Sequence, residues 1–441
     1  MTELSFYVEW DEAPGVVDAE LACTWGQLQI RIAGAPVTRF YNTRTQSVRS
    51  GTYGAMLPLA RWLVERWWFL LNEATPSSQI FEGGRRALLE STDDELRQWL
   101  RRHNLLTARE GFALPDLSIF RDEAGIQLRW VPDPTEVRTP GRFLEDGGAV
   151  ISERGFIAAV VDFVSSVADR LHDHDTGKRL SAALTELLLL TSEQASASQR
   201  GGLAALGLDP EADISDDDEL RDALLVRLPA LPDPLRRDVL EAAGEDLVRE
   251  LSWVSELRER LRNIGAGNSG RFRAASLVEE HRVPHIAGYR RARAARKQMG
   301  LDASAPVLDL ETSIARTFGP VREVEMDRRG TSTLVAFGAD QSGLVVGAKS
   351  SIEPAKRFRL ARALHHWMYA ADVSQGRLLT RSHGWNQRAS RAFAAEFLAP
   401  AEGIREQLAA ADGDDLMLRA VAQRYRVSDQ VLQLQIANHD I

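Results

Sequence analysis

Several stretches of this 441-residue chain gather side chains able to do chemistry. In Arg357-Phe358-Arg359-Leu360-Ala361-Arg362-Ala363-Leu364-His365-His366, Arg362 stands four residues before His366. Residues four apart share a helix face, so this pair would suit an anion or a peptide carboxylate. Adjacent His365 and His366 face about 100° apart on a helix and do not readily chelate one ion; His366 with His383 and Asp372 would make only an irregular site. His172-Asp173-His174-Asp175 has the composition of a divalent-metal tetrad. It lies between two helical segments, however, where imidazoles at one helix end and an aspartate capping the next are the simpler account. His281 and His285 have the i, i+4 spacing of a metal pair, but Pro284 between them interrupts a regular helix. The acidic run Asp216 to Glu219 reads as a solvated helix start. Arg290, Arg291, Arg293, Arg296 and Lys297 make a cationic helix, preceded by Arg271 and Arg273. Such a helix either contacts a phosphate backbone or presents a solvated face to an acidic neighbour.

The bulk numbers narrow these uses. A formal charge of −9 argues against wholesale coating of nucleic acid and favours the solvated-face reading of the cationic helix. Apolar residues make up 44% and charged residues 27%, an ordinary globular balance. Cys23 is the only cysteine, so no intramolecular disulfide forms. The most apolar runs, Phe156 to Val164 and Leu187 to Leu190, are too short to cross a bilayer, and Asp162 interrupts the first. Glu3, Glu9, Asp11 and Glu12 replace the basic, then apolar, opening of a signal peptide. The expectation is a cytoplasmic protein with no membrane partner.

The elements that position these residues fall into three groups, giving an α+β multidomain expectation: a mixed module over 1–145, a helical region over 146–268 and a third domain over 269–441. In the first, Gln27 to Ile32 alternates as a half-buried strand, and Leu57 to Leu71 has helical spacing, with Arg61 and Glu65 set to pair on its wet side. Trp62, Trp67 and Trp68 read as core rather than as a stacking platform. Leu117 to Phe120 and Ile126 to Val131 flank a hairpin turn. The second group holds helical patterns at Phe156 to Leu171, Lys178 to Leu190, Asp218 to Leu228, Leu235 to Ala243 and Glu245 to Arg262, with Gly201, Gly202, Pro229, Pro232 and Pro234 as loop chemistry. The third has a helix at Leu310 to Phe318 and strands at Val321 to Met326, Thr333 to Phe337 and Leu344 to Ala348, with Gly338 to Gly343 as a hairpin turn.

About twenty residues after His366 comes Gln387-Arg388-Ala389-Ser390-Arg391-Ala392-Phe393-Ala394-Ala395-Glu396-Phe397-Leu398-Ala399-Pro400. This stretch and the Arg357 to His366 run resemble the two signatures of the ImmA/IrrE-type zinc metallopeptidases, R-F-T-L-A-H-E-L-G-H and E-x-x-A-N-x-F-A-A-E-L-L-x-P. The resemblance covers roughly 270–441. It implies a small three-stranded sheet packed on a helix that, in active members, carries two zinc-binding histidines and a general-base glutamate, with an acid opening the second signature as third ligand. Two histidines four apart converge on one ion while the glutamate between them reaches the bound water. Carried onto this chain, the first histidine position holds Arg362, the base position Ala363, the glycine position His365, and only His366 matches a ligand. The third-ligand position falls on Gln387 or Ala389, depending on register. What the resemblance implies is therefore a degenerate pseudopeptidase with no cofactor, whose vestigial cleft is Arg362, His365, His366 and Gln387.

The chain closes on a helix-turn-helix spacing over Ala420 to Ile436, with Ser428 as N-cap and Gln430, Gln433 and Gln435 on the second helix. We rank three functions. First is a non-catalytic pseudopeptidase that binds a protein or small ligand, with the family context of bacterial stress response, mobile elements or phage defence. Second is an active metallopeptidase with an unfamiliar ligand set that cleaves a regulator. Third is a DNA-binding regulator using the cationic and C-terminal helices.

Overall fold

A computed structural model describes residues 4–13, 15–76, 84, 90–134, 140–244, 246–262, 283–318, 321–326, 333–337, 344–349, 352–369, 376–409 and 415–441. Arg271, Arg273, His281, Asp372 and the Gly338 to Gly343 turn lie outside them. The fold is α+β and divides into two compact units, Met1–Leu225 and Val226–Ile441. Among the described residues no helix is long and apolar enough to cross a membrane.

In the first unit β1 (Leu4–Trp10), α1 (Ala19–Cys23), β2 (Trp25–Ile32), β3 (Ala35–Pro36), β4 (Phe40–Asn42), β5 (Ser47–Arg49) and β6 (Thr52–Ala55) lead into α2 (Leu57–Glu65) and α3 (Trp67–Asn72). Then come α4 (Asp94–His103), β7 (Asp116–Asp122), β8 (Gly125–Val131), β9 (Gly141–Phe143), β10 (Gly147–Ile151), α5 (Glu153–Arg170), α6 (Asp175–Ser192), α7 (Gln194–Ala205) and α8 (Asp218–Asp222). Among its described residues three small sheets form: β2 pairs with β1, β3 and β6; β8 lies between β10 and β7; and β4 lies between β5 and β9. The expected alternation holds, since Leu28, Ile30 and Ile32 are buried while Gln27 and Gln29 are half-buried and Arg31 is exposed. The hairpin holds as well, with Phe120 opposite Gln127.

Three details differ. The helix expected over Leu57 to Leu71 is broken at Arg66, whose N–H bonds Trp62 and Val64 carbonyls. A straight helix would spread Trp62, Trp67 and Trp68 around its girth, whereas the break lets all three bury. Arg61 meets Glu20 at 3.6 Å rather than Glu65. Gly201 and Gly202 lie inside α7, where a Cβ on the first would meet Asn72 Oδ1 at 2.9 Å and on the second Leu224 Cδ2 at 2.5 Å. Close packing, not a loop, requires them.

The helical stretch over 146–268 is not a unit of its own, so the expected boundaries at 145 and 268 shift to one near 225. Helix α5 buries Phe156, Val160, Phe163 and Val167 in the first unit's core, with Phe163 and Phe6 ring centroids 5.1 Å apart. An apolar helix face must be covered, and the strands before it supply the cover.

The second unit comprises α9 (Asp233–Ala243), α10 (Leu247–Arg262), α11 (Pro284–Gln298), α12 (Leu310–Phe318), β11 (Val321–Met326), β12 (Thr333–Phe337), β13 (Leu344–Lys349), α13 (Glu353–Tyr369), β14 (Arg377–Leu379), α14 (Trp385–Leu398), α15 (Ala401–Ala409), α16 (Asp415–Tyr425) and α17 (Asp429–His439). Its sheet runs β11-β13-β12-β14, with β11 and β13 parallel and the other pairs antiparallel. The three expected strands are thus joined by a fourth, β14, too short to show alternation. Behind the sheet, α13 and α14 share a core in which Phe393 stacks on Phe397 at 5.4 Å beside Ala361, Ala363 and Leu364.

Candidate functional site

The two stretches that carry the resemblance meet. Helix α13 presents Arg362 to helix α14, and its guanidinium is committed on several sides. Nε donates to Ser390 Oγ at 3.1 Å, and Nη2 donates to Gln387 Oε1 at 2.6 Å and to the Thr380 carbonyl at 3.0 Å. Of the two candidate registers, Gln387 is the one beside Arg362; Ala389 is buried on α14 with its carbonyl against Gly288, where a Cβ would come within 2.4 Å. Gln387 Nε2 donates onward to the Leu378 carbonyl at 2.7 Å and to Asp238 Oδ1 at 3.1 Å.

Asp238 enters from α9, a helix outside the segment that carries the resemblance. Arg377 grips it bidentately, Nε to Oδ2 at 2.7 Å and Nη2 to Oδ1 at 2.9 Å, and Leu378 N–H donates to Oδ2 at 2.9 Å. The carboxylate therefore accepts from a guanidinium fork, a backbone amide and a side-chain amide, which is how a buried charge stays affordable. Sequence reasoning missed Asp238 and Arg377. A signal was present for Asp238: it falls on the apolar stripe of α9 beside Leu235, Val239 and Ala243, all buried, where a carboxylate has no place without a partner.

His365 and His366 are both buried. Arg291 Nη1 donates to His365 Nε2 at 3.1 Å, so that nitrogen is the acceptor and Nδ1 carries the hydrogen. The Arg291 guanidinium also lies 4.8 Å from the Tyr369 ring centre and 5.0 Å from that of Trp385, a cation–π arrangement. Among the described residues His365 Nδ1 and His366 Nε2 are buried without a hydrogen-bond partner. Burial pushes both imidazoles well below their ordinary range, helped by Arg291 at His365 and by Arg377 at His366, so both are neutral. Burial, with Arg391 second, pushes Arg362 down to about 9, which leaves it charged at neutral pH.

This donor set does not fit zinc. A guanidinium about 4 Å from a dication is repelled by several kcal/mol even at intermediate dielectric, and His366 is the single ligand-type residue at the signature positions. Ala363 has no carboxyl to take a proton from water, and it is packed into the core. What the arrangement does is join α13, α14, α9 and β14 through a continuous polar chain, Arg362 to Gln387 to Asp238 to Arg377.

The remaining candidates separate. On α11, Arg291 and Arg296 point inward: Arg296 donates to the carbonyls of Phe397, Asp302 and Ala305. Arg293 pairs with Glu396 at 2.8 Å, while Arg290 and Lys297 are exposed. The cationic helix is thus not one solvated face. Pro284 opens α11 rather than breaking it, and His285 is exposed. Ser428 caps α17 as expected, its Oγ accepting from Val431 N–H at 3.3 Å. Gln430 and Gln433 face outward, but Gln435 is buried and donates to Glu396 Oε2 at 2.9 Å. In the first unit Asp217 caps α8 through Leu220 N–H. The His172 to Asp175 tetrad diverges: His172 Nε2 lies 3.0 Å from Asp173, Asp175 turns to Lys178 at 3.4 Å, and His174, not an aspartate, is the N-cap residue of α6.

No protein-family model matches this chain, and no curated protein matches it.

Proposed function

We propose that this chain is a non-catalytic relative of the ImmA/IrrE-type metallopeptidases that acts by binding a protein or a small ligand. The observation that carries the reading is Arg362. At the place where an active member would hold its first zinc-binding histidine stands a guanidinium donating to Gln387 Oε1 at 2.6 Å, the residue at the third-ligand place. Two positions that would share a metal instead share a hydrogen bond, so the shell serves as a scaffold and recognition falls to its outer surfaces. The anion-binding use of Arg362 recedes, since Ser390, Thr380 and Gln387 already occupy it. DNA readout ranks lower still, because Arg291, Arg296 and Gln435 are turned inward. The place of such a protein in stress response, mobile-element control or phage defence belongs to the same proposal.

Metal analysis of the purified protein by mass spectrometry, alongside a peptide-hydrolysis assay, tests it. The expected result is zinc far below one equivalent, unchanged in His366→Ala, with no hydrolysis. Stoichiometric zinc that disappears in His366→Ala would return the chain to the active metallopeptidases.

A further inference from the structure

The tetrad over His172 to Asp175 is not a metal site, yet one of its members has a second use. His174 stands at the start of α6, and its ring makes no capping bond to that helix. The backbone there is fixed: His174 N–H donates to the Leu171 carbonyl at 2.9 Å, and its own carbonyl accepts from Gly177 N–H at 3.1 Å. The ring reaches across to α1, remote in sequence. Cys23 Sγ lies 3.8 Å from His174 Nε2, and Glu20 Oε1 lies 4.0 Å from His174 Nδ1. Glu20 is one turn before Cys23 on α1, so one short helix supplies both the thiol and the carboxylate. Arg170 Nε donates to the Cys23 carbonyl at 3.1 Å, and its guanidinium sits 5.4 Å from the Trp10 ring centre, which anchors the end of α1 against α5.

The two ring nitrogens therefore face different groups, which is the order a nucleophile, base and orienting acid require. With Nδ1–H toward the carboxylate, the Nε2 lone pair is left for the thiol proton. The Glu20 separation is beyond a hydrogen bond but within ion-pair reach, and such contacts shorten when the imidazole becomes charged. All three residues are partly exposed, the Glu20 and His174 side chains at 30% each.

We propose that Cys23, His174 and Glu20 form a reactive-thiol site that takes small electrophiles, with hydroperoxides as the natural class. His174 Nε2 takes the thiol proton and the sulfur attacks the terminal peroxide oxygen. The O–O bond breaks and the departing alkoxide or hydroxide receives the proton from His174. Sulfur is oxidised from thiol to sulfenic acid, and the peroxide is reduced to an alcohol or water. Because Cys23 is the only cysteine, the sulfenic acid has no resolving partner in its own chain and returns to thiol through an external thiol. This site stands apart from the proposed function above and does not depend on it.

The sole cysteine makes the test direct, since every adduct read on the intact mass belongs to Cys23. Second-order rates with iodoacetamide at neutral pH, and trapping of the sulfenic acid with dimedone after hydrogen peroxide, are compared between the native chain and His174→Ala, Glu20→Gln and Cys23→Ser. The expected loss is about tenfold in His174→Ala, which removes the base placed 3.8 Å from the sulfur. Glu20→Gln loses about two- to threefold, Cys23→Ser gives no adduct, and all variants keep the native circular dichroism. Equal alkylation rates in the native chain and a folded His174→Ala overturn the proposal, as does a native chain that yields no dimedone adduct. A His174→Gln variant provides the same comparison if the alanine variant does not fold.

Discussion

Arg377 and Asp238 form a two-bond fork in the interior of the second unit, Nε to Oδ2 at 2.7 Å and Nη2 to Oδ1 at 2.9 Å, with neither side chain more than 5% exposed. The pair joins α9 to the edge strand β14, and Leu378 N–H adds a third donor to the same carboxylate. An edge strand leaves backbone donors without a neighbouring strand, and here a helix-borne carboxylate accepts one of them.

Removing that carboxylate takes from a buried guanidinium its two-bond partner, which is the costly way to break a buried pair. Asp238→Asn is expected to destabilise the second unit by about 3–5 kcal/mol, read as a lowered urea midpoint. The double replacement Asp238→Leu with Arg377→Met recovers part of the loss by removing both charges. Full recovery is not expected, because Leu378 N–H and the Gln387 amide lose their acceptor. A midpoint unchanged in Asp238→Asn would mean that the fork contributes nothing.

Placing ligand chemistry at Arg362 and Gln387 tests whether these two positions face one point. Arg362→His with Gln387→Glu sets an imidazole one helical turn before His366 and a carboxylate where Gln387 now accepts from Arg362. The double variant is expected to bind close to one zinc by equilibrium dialysis, and Arg362→His alone markedly less, since three protein ligands make a zinc site and two do not. Equal zinc in the native chain and the double variant would show that the positions do not converge on a metal.

Strand β2 was legible because Leu28, Ile30 and Ile32 keep a period of two across one sheet face. The helices α5 and α6 were legible because their apolar spacing is long and regular. What local pattern withheld were the partners. Trp62, Trp67 and Trp68 gave the burial but not the break at Arg66, which depends on what each indole must reach. Gly201 and Gly202 looked like loop residues because the side chains pressed against them, Asn72 and Leu224, are set by tertiary packing. In the site, Arg362 and Gln387 could be named from local wording, whereas Asp238 lies 139 residues before Arg377 and no spacing rule connects them. Long-range ion pairs leave their trace only as a charge on an apolar stripe.

Glu396 is the acid of the second signature stretch, and its work here is structural. It is buried and accepts from Arg293 Nε at 2.8 Å, Gln435 Nε2 at 2.9 Å and Ala401 N–H at 3.2 Å, tying α11, α17 and the start of α15 to α14. Glu396→Ala is expected to cost about 2–3 kcal/mol, since several donors lose a charged acceptor at once. Hydrogen exchange of α17 amides should accelerate before that of α13. Uniform acceleration across the second unit would instead assign Glu396 to the global fold.

The neutral imidazoles set a pH dependence whose sign follows from burial. His365 and His366 are pushed well below 6.5 in the folded chain by desolvation and by the guanidinium charges of Arg291, Arg362 and Arg377; Asp238 is the carboxylate of the same polar chain. On unfolding both recover an ordinary imidazole and take up protons below about pH 6.5. Their contribution to stability is therefore complete above that value and is lost as the pH falls below it, at about 1.4 kcal/mol per pH unit for each residue. His383, lowered by burial as well, adds in the same direction. Urea midpoints measured from pH 8 to 5.5 should be flat at the alkaline end and fall steeply below 6.5. A substitution that leaves nothing to titrate, His366→Asn, should remove about one residue's share of that slope. A slope unaltered by His366→Asn would mean that this ring is not held neutral in the folded chain.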